Sequence, residues 1–156
     1  MSFFKDLEFG DKWETIALKK MGITTYRKIE GKFKPFDVIC YKDDKIVLRE
    51  FKADRMACIT GNLAIEWSCS NCPSGIQTTL ADFWTYILVS GDDCEIFDIP
   101  VSVLKDLIHR QEYSSIVAGG DASKNIMFLF PKNVFSQFRL QCEQLVSVDQ
   151  EELLSA

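Results

Sequence analysis

The sequence predicts an α/β domain in which helices pack against a central mixed β-sheet. Three observations support this fold class: an amphipathic helical pattern near the start, four runs of strand composition after it, and alternating strand and helix patterns in the second half. The 156 residues, 47% of them hydrophobic, are enough to build one core. We therefore expect a single domain over residues 1–148, followed by a frayed tail over residues 149–156.

The first predicted element is a helix between Asp11 and Gly22. Asp11 is a suitable N-cap, and Gly22 is a suitable C-terminal stop. Between them, apolar residues recur at the spacing of one helix face, namely Trp13, Ile16, Ala17 and Met21.

Runs rich in β-branched and aromatic residues follow this helix. In chain order they read TTYRKI, FDVICY, KIVLREFK and NLAIEWS, and their close spacing predicts a meander of antiparallel strands. In the second half, TTLADFWTYILV is expected to pass from a capped helical turn into a strand. CEIFDI and NIMFLF are further strands, and PVSVLKDLIHRQ is a helix opened by Pro100.

The charge is unevenly distributed along the chain, whose net charge is -5. Residues 1–60 hold 13 Lys and Arg against 10 Asp and Glu, whereas residues 61–156 hold 5 against 13. An acidic total is therefore compatible with a phosphate-binding face in the first half. The candidate basic side chains are Lys12, Lys19, Lys20, Lys28, Lys32 and Lys34.

The six cysteines do not require a disulfide framework, because the chain has enough apolar residues for a core. Cys69-Ser-Asn-Cys72 has the spacing of half a zinc site, but no second pair accompanies it, so structural zinc is disfavoured. The chain has no run of about 18 apolar residues, and charges occupy its first residues, where a signal peptide would be apolar. We expect a cytoplasmic, soluble protein that uses no membrane and no small-molecule cofactor.

The hairpin predicted across the Asp43-Asp44 turn brings charged residues together. Because opposed residues are fixed by the centre of the turn, the facing pairs are Tyr41 and Ile46, Ile39 and Leu48, and Asp37 and Glu50. Side chains alternate between faces along a strand, so Lys52 lies on the same face as the two carboxylates. Directly opposed carboxylates destabilise a sheet unless a proton or a shared cation neutralises their mutual repulsion.

A divalent cation would resolve this repulsion. Mg²⁺, or Mn²⁺ in its place, binds through one or two carboxylates and keeps several waters. Asp37 and Glu50 would be the ligands, and the backbone carbonyl of Phe51 would be a further one. Such an ion polarises a phosphate oxygen and acidifies water for attack on phosphorus, and Lys52 would hold or activate that water. The alternative is a plain ion pair between Glu50 and Lys52 on an exposed strand.

The segment Pro35-Phe36-Asp37, followed by Glu50-Phe51-Lys52, resembles the signature of the PD-(D/E)xK nuclease superfamily, with one residue between the Pro and the Asp. The layout is most similar to Holliday junction resolvases and to phage and viral endonucleases. The resemblance covers residues 11 to about 90 and implies a restriction-endonuclease-like core. It also implies catalysis by Asp37, Glu50 and Lys52 with Mg²⁺, acting in DNA recombination or repair.

Glu14 has two interpretations. Resolvases and related members of the superfamily carry a glutamate on the first helix that reaches the metal site, so the resemblance implies a catalytic role for Glu14. The spacing Asp11-x-x-Glu14 also fits a capping box, in which Glu14 would only satisfy a backbone donor.

The segment downstream of the Glu-x-Lys strand also resembles phage and viral members of the superfamily, in which a Ser-Gly-Ile loop follows a strand ending in Glu. Its hydroxyl and amide side chains lead into an expected helix N-terminus, an arrangement that suits a phosphate. A simple helix cap at Thr78 or Thr79 is equally compatible with the pattern. Glu66 would either join the metal site or neutralise Arg49. The candidate DNA contacts are Lys32, Lys34, Ser74, Gln77, Thr78 and Thr79.

The sequence therefore predicts a Mg²⁺-dependent DNA endonuclease, structure-specific in the manner of a resolvase and acting as a homodimer. One alternative is a monomeric nuclease acting on DNA ends or single strands. Another is a non-catalytic nucleic-acid-binding module that keeps the nuclease fold.

Overall fold

The computed structural model describes residues 3–32, 34–119 and 124–141. Its elements in chain order are α1 (Phe3–Lys20), β1 (Tyr26–Lys28), β2 (Val38–Lys42), β3 (Lys45–Asp54), α2 (Ala57–Thr60), β4 (Asn62–Cys69), β5 (Cys72–Pro73), β6 (Phe83–Ser90), β7 (Asp93–Pro100), α3 (Val101–His109), β8 (Ser115–Gly119) and β9 (Asn125–Pro131). Two 3₁₀ segments, Gly75–Gln77 and Lys132–Phe138, follow β5 and β9. The expected tail over residues 149–156 lies outside the described residues.

The central sheet has five strands in the order β1-β2-β3-β6-β7. β1, β2 and β3 form an antiparallel meander, β3 pairs with β6 in parallel, and β6 and β7 form an antiparallel hairpin. The expected register of the β2–β3 hairpin is confirmed, since Ile39 pairs with Leu48 and Tyr41 with Ile46. Asp43 and Asp44 both have positive φ, 50° and 61°, as a two-residue type I′ turn requires. The expectation of an α/β domain on a mixed sheet is therefore confirmed.

A second sheet, antiparallel and of four strands in the order β5-β4-β9-β8, has no counterpart among the sequence predictions. The expected continuation of the meander by NLAIEWS is wrong, because this segment forms β4 and pairs with β9. β6 takes the place beside β3 that the meander would have given to β4. Strand composition thus identified the segment correctly, but it carries no information about which neighbour the strand selects.

The two sheets and the helices form layers. On one face of the central sheet, α1 packs Trp13 and Ala17 against Ile87 and Val89. The other face packs against the second sheet and α3 in the largest cluster of buried residues. Tyr86 links the sheets there, because its hydroxyl accepts a hydrogen bond from the N–H of Ala64 at 3.1 Å and donates to Asp54.

The helix α1 begins at Phe3, so the expected start at Asp11 is wrong. Asp11 lies in the middle of the helix, where its carbonyl accepts a hydrogen bond from the Thr15 hydroxyl at 3.0 Å. Asp11 and Glu14 therefore do not form a capping box. The predicted end is confirmed, since Gly22 has φ +70° and its N–H donates to the carbonyl of Lys19 at 3.0 Å.

The helix opened by Pro100 is confirmed as α3, but the expected helical turn ahead of β6 is wrong. The 3₁₀ segment Gly75–Gln77 comes before Thr78, and residues 78–82 have no helical structure. Gly75 has φ +55°, and a Cβ there would lie 2.3 Å from the carbonyl oxygen of Glu66. A glycine is therefore required where this segment crosses β4. Among the described helices, none has the length and apolar character needed to cross a membrane.

Candidate metal centre

Asp37 stands one residue before β2 and is held by backbone on three sides. Its N–H donates to the carbonyl of Arg49 at 2.9 Å, and its own carbonyl accepts from Ile29 at 2.8 Å. Its side-chain Oδ2 accepts the N–H of Phe51 at 2.7 Å. The residue is only 7% exposed. The backbone of β3 thus fixes the position of this carboxylate, so that it cannot move away from a neighbouring charge.

The other carboxylate oxygen of Asp37 binds a lysine. Lys34 Nζ lies 2.9 Å from Asp37 Oδ1 and 3.4 Å from the carbonyl of Ile29. Burial lowers the pKa of Lys34, but the hydrogen bond to Asp37 and the negative charges of Asp37, Glu14 and Glu50 outweigh burial and raise it. Lys34, which the sequence predicts as a DNA contact, is therefore a counter-ion of the carboxylates in this structure.

Glu50 lies on β3, half-buried beside Asp37. Burial, together with the neighbouring charge of Asp37, raises the pKa of the Glu50 carboxyl to about 8. The hydroxyl of Thr79 lies 3.5 Å from Glu50 Oε2 and 3.3 Å from the carbonyl of Pro35, and its hydrogen bond to Glu50 opposes this rise in pKa. The expected conflict between the charges of Asp37 and Glu50 is thus present.

Glu14 approaches Asp37 from α1, across a cleft of about 390 Å³ that both residues line together with Lys34. Burial and the charge of Asp37 raise the pKa of the Glu14 carboxyl to about 7. Lys28 lies 3.7 Å from this carboxylate and 2.8 Å from that of Asp11. With the capping box excluded, the remaining sequence interpretation of Glu14 is the one that brings it towards Asp37.

Asp37 is an acidic neighbour of both other carboxylates, and its charge adds to burial in raising the pKa of each. Within the described ranges, no group of three or more His, Cys, Asp or Glu side chains is arranged to hold a metal ion. Mg²⁺ does not require three protein carboxylates, because it keeps several waters and uses one or two. The donor chemistry of Asp37 and Glu50 therefore fits such an ion as a two-carboxylate site.

The predicted backbone ligand has a suitable direction. The N–H and carbonyl of one strand residue point to the same side of the strand. Because the N–H of Phe51 donates to Asp37 Oδ2, the carbonyl of Phe51 is directed to the side of β3 on which Asp37 lies.

Lys52 lies two residues beyond Glu50 on β3, opposite Tyr86 of β6. Its side chain is exposed, and no described residue forms an ion pair with it. The alternative of a Glu50–Lys52 ion pair is therefore wrong for this structure. The predicted role of Lys52 in holding water stays a prediction.

Two side chains of the loop expected to bind phosphate donate to nearby backbone carbonyls instead. Gln77 Nε2 donates to the carbonyl of Trp67 at 2.7 Å, and the Thr78 hydroxyl lies 3.4 Å from the carbonyl of Gly75. The Ser74 hydroxyl is buried without a partner among the described residues. Residues 78–82 are not helical, so the helix N-terminus expected after this loop is absent. Phosphate binding by the hydroxyl and amide groups of the loop stays a prediction. The Thr79 hydroxyl contacts the Glu50 carboxylate. The side chain of Lys32, the remaining predicted DNA contact, is exposed.

The structure also shows the neighbours of Arg49 and of the cysteine pair. Arg49 forms an ion pair with Asp98 of β7, so Glu66 does not neutralise Arg49. This partner lies outside the β2–β3 hairpin, so the hairpin pattern alone could not identify it. Cys69 and Cys72 face each other across the turn from β4 to β5, and both are free thiols. They therefore flank a two-residue hairpin turn.

Comparison of the chain with family models, with curated proteins and with solved structures finds no match.

Proposed function

We propose that this protein is a Mg²⁺-dependent DNA endonuclease whose metal ion is held by Asp37 and Glu50. One observation carries the proposal: two like-charged carboxylates are held together by β-sheet backbone, and burial and repulsion raise the pKa of Glu50 to about 8. A fold tolerates such an arrangement where a cation or a proton separates the charges. The resemblance of Asp37 and Glu50-x-Lys52 to PD-(D/E)xK nucleases supports the same interpretation.

Each group of the proposed site would have a separate chemical role. Asp37, Glu50 and the carbonyl of Phe51 would bind the ion, whose chemistry is to polarise a phosphate oxygen and acidify a bound water. Lys52 is exposed and would position that water and offset charge on the phosphate. Glu14, with its pKa raised to about 7, is suited to accept or release a proton near neutral pH.

A structure-specific, resolvase-like activity by a homodimer is the form of the proposal that the sequence resemblance favours. Incubation with linear, single-stranded, nicked and four-way-junction DNA, each with Mg²⁺ or EDTA, tests both substrate and metal. We expect cleavage with Mg²⁺ or Mn²⁺, none with EDTA, and binding without turnover with Ca²⁺. Sedimentation of the free protein separates a dimer from the monomeric nuclease that is the alternative.

The control for this assay is a carboxylate in the same hairpin. Asp37→Asn should abolish metal-dependent cleavage, whereas Asp44→Asn removes an equal charge from the exposed β2–β3 turn and should cut DNA normally. Cleavage that continues undiminished in EDTA would refute the assignment of the metal to this site.

A non-catalytic nucleic-acid-binding module is the second candidate. It is favoured by the ion pair between Lys34 and Asp37, which already neutralises one of the two proposed ligands. Under this alternative, Lys34 would be permanently bound and no divalent ion would enter. Calorimetry with Mg²⁺ or Ca²⁺ decides between the candidates, because only the nuclease requires a divalent site.

A further inference from the structure

Lys34 already places a positive charge at the proposed metal site. Its ammonium lies 2.9 Å from Asp37 Oδ1, and it is also attracted by the charges of Glu14 and Glu50. The side chain is 32% exposed, and its second contact, the carbonyl of Ile29 at 3.4 Å, is a long one. Lys34 is thus held mainly by its ion pair with Asp37, and its partly exposed side chain can move into solvent.

A divalent ion and this ammonium compete for the same oxygen. Asp37 Oδ2 already accepts the N–H of Phe51, so Oδ1 is the carboxylate oxygen that is better placed to coordinate a metal ion. Two cations at hydrogen-bond or coordination distance from one oxygen repel each other strongly. Metal entry therefore requires Lys34 to leave Asp37.

We propose that Lys34 is an exchangeable counter-ion that couples metal binding to DNA binding. In the metal-free protein it neutralises Asp37. When a divalent ion binds, the lysine is released at the mouth of the same cleft, where its charge becomes available for a DNA phosphate. The inference rests on the proposed metal site, but not on whether DNA is hydrolysed there.

This exchange has a reciprocal thermodynamic consequence. If metal binding releases Lys34 towards a phosphate, the metal increases DNA affinity, and DNA increases metal affinity by the same factor. Removing the lysine's charge should have two opposite effects. Metal affinity in the absence of DNA should rise, because the competitor is gone, and the coupling between metal and DNA should fall.

Lys34→Met tests this, since methionine keeps an unbranched side chain and removes the charge. Lys32→Met is the matched control for the coupling: Lys32 is exposed in the same loop, and no described residue pairs with it. Loss of a DNA contact at Lys32 should lower duplex affinity equally with and without Ca²⁺, so the ratio of the two affinities should stay as in the wild type. Lys34→Arg should behave like the wild type because it keeps a cation. Ca²⁺ affinity is measured by calorimetry with and without a short duplex, and duplex affinity by fluorescence anisotropy with and without Ca²⁺, at one fixed ionic strength.

We expect Lys34→Met to bind Ca²⁺ about 10-fold more tightly than the wild type without DNA, since a charge-assisted hydrogen bond no longer competes. The several-fold gain in DNA affinity that Ca²⁺ gives the wild type should disappear in this variant and persist in Lys32→Met. Equal or weaker Ca²⁺ binding by Lys34→Met, or coupling that survives unchanged, would overturn the inference while leaving the nuclease proposal intact. Tighter Ca²⁺ binding and absent coupling in Lys34→Met, without any DNA cleavage by the wild type, would support the exchange and reject the nuclease. Absence of Ca²⁺ binding in both proteins would reject both.

Discussion

Replacing Glu50 by Gln should stabilise the metal-free protein at alkaline pH. In the folded state the pKa of Glu50 is about 8, against an ordinary value of 4.5. Since the folded state holds the proton more tightly, stability is highest below the unfolded pKa and falls as the pH rises from about 4.5 to about 8. A glutamine cannot lose a proton, so the variant is spared this loss of stability.

The size of the effect follows from the pKa difference. Each pKa unit corresponds to about 1.36 kcal/mol, so the full difference sets a ceiling of roughly 5 kcal/mol. Partial solvent access reduces it, and we expect Glu50→Gln to add about 2–4 kcal/mol to the free energy of unfolding at pH 8.5. At pH 5 the two proteins should differ by less than about 1 kcal/mol, because Glu50 is protonated in the folded protein.

Urea unfolding in EDTA at pH 5 and pH 8.5 measures both differences, with Asp44→Asn as a control for removal of an exposed carboxylate. For a chain of this length the stabilisation corresponds to a rise in melting temperature of about 4–15 °C. Added Mg²⁺ should stabilise the wild type at pH 8.5 and have little effect on Glu50→Gln. If Glu50→Gln loses stability with pH as steeply as the wild type, Glu50 is not under electrostatic stress and the reasoning for a cation site fails.

Three further outcomes are expected. Lys52→Ala should lower the single-turnover cleavage rate about 100-fold or more with little change in Ca²⁺ affinity, while Lys45→Ala, an exposed lysine on the same strand, should cleave normally. Lys32→Glu should weaken DNA binding, and the slope of log affinity against log salt should fall by about 0.9 for each phosphate that the side chain no longer neutralises; an unchanged slope would place the DNA elsewhere. Tyr86→Phe should lower the free energy of unfolding by about 1–3 kcal/mol, measured by urea denaturation, because it leaves the N–H of Ala64 and the Asp54 carboxylate without their buried partner.

The structure changes what Asp37→Asn should do to stability. From the sequence alone, removing one of two opposed carboxylates relieves repulsion and leaves the metal-free protein at least as stable. Asp37 also accepts the N–H of Phe51 at 2.7 Å and pairs with Lys34 at 2.9 Å. An asparagine keeps an acceptor for Phe51 but weakens the interaction with Lys34, so the two effects oppose each other. Glu50 is the more informative position for testing the repulsion, because the charge of Asp37 contributes to its raised pKa.

The β2–β3 hairpin could be predicted because its information is local. Asp43 and Asp44 tolerate the positive φ of a type I′ turn, and once the turn is placed, alternation along each strand fixes the facing pairs. The end of α1 at Gly22 is local in the same sense. The approach of Asp37 to Glu50 followed from these rules, and so did the recognition that their charges conflict.

The features that sequence reasoning missed depend on distant neighbours. The parallel pairing of β3 with β6 joins residues more than thirty positions apart, and nothing in either strand's composition selects that partner. The start of α1 was obscured by Gly10, a weak helix former. Packing of α1 on the central sheet through Trp13 and Ala17 outweighs that local preference. With the helix starting at Phe3, Glu14 is a mid-helix residue and its side chain is available to the cleft.

Lys34 shows why the chemistry of a charged loop is hard to predict even where its residues are chosen correctly. A lysine in a loop is usually solvated, and its side chain has many conformations, so sequence spacing does not specify its partner. Here three carboxylates converge from α1, β3 and the start of β2, and their combined field attracts this one ammonium. Because that field exists only after the elements assemble, the same residue that sequence reasoning assigns to DNA is paired with Asp37, a proposed metal ligand, in the folded protein. The two assignments are compatible if Lys34 exchanges between them, and the Lys34→Met and Lys32→Met pair separates an exchanging lysine from a permanently bound one.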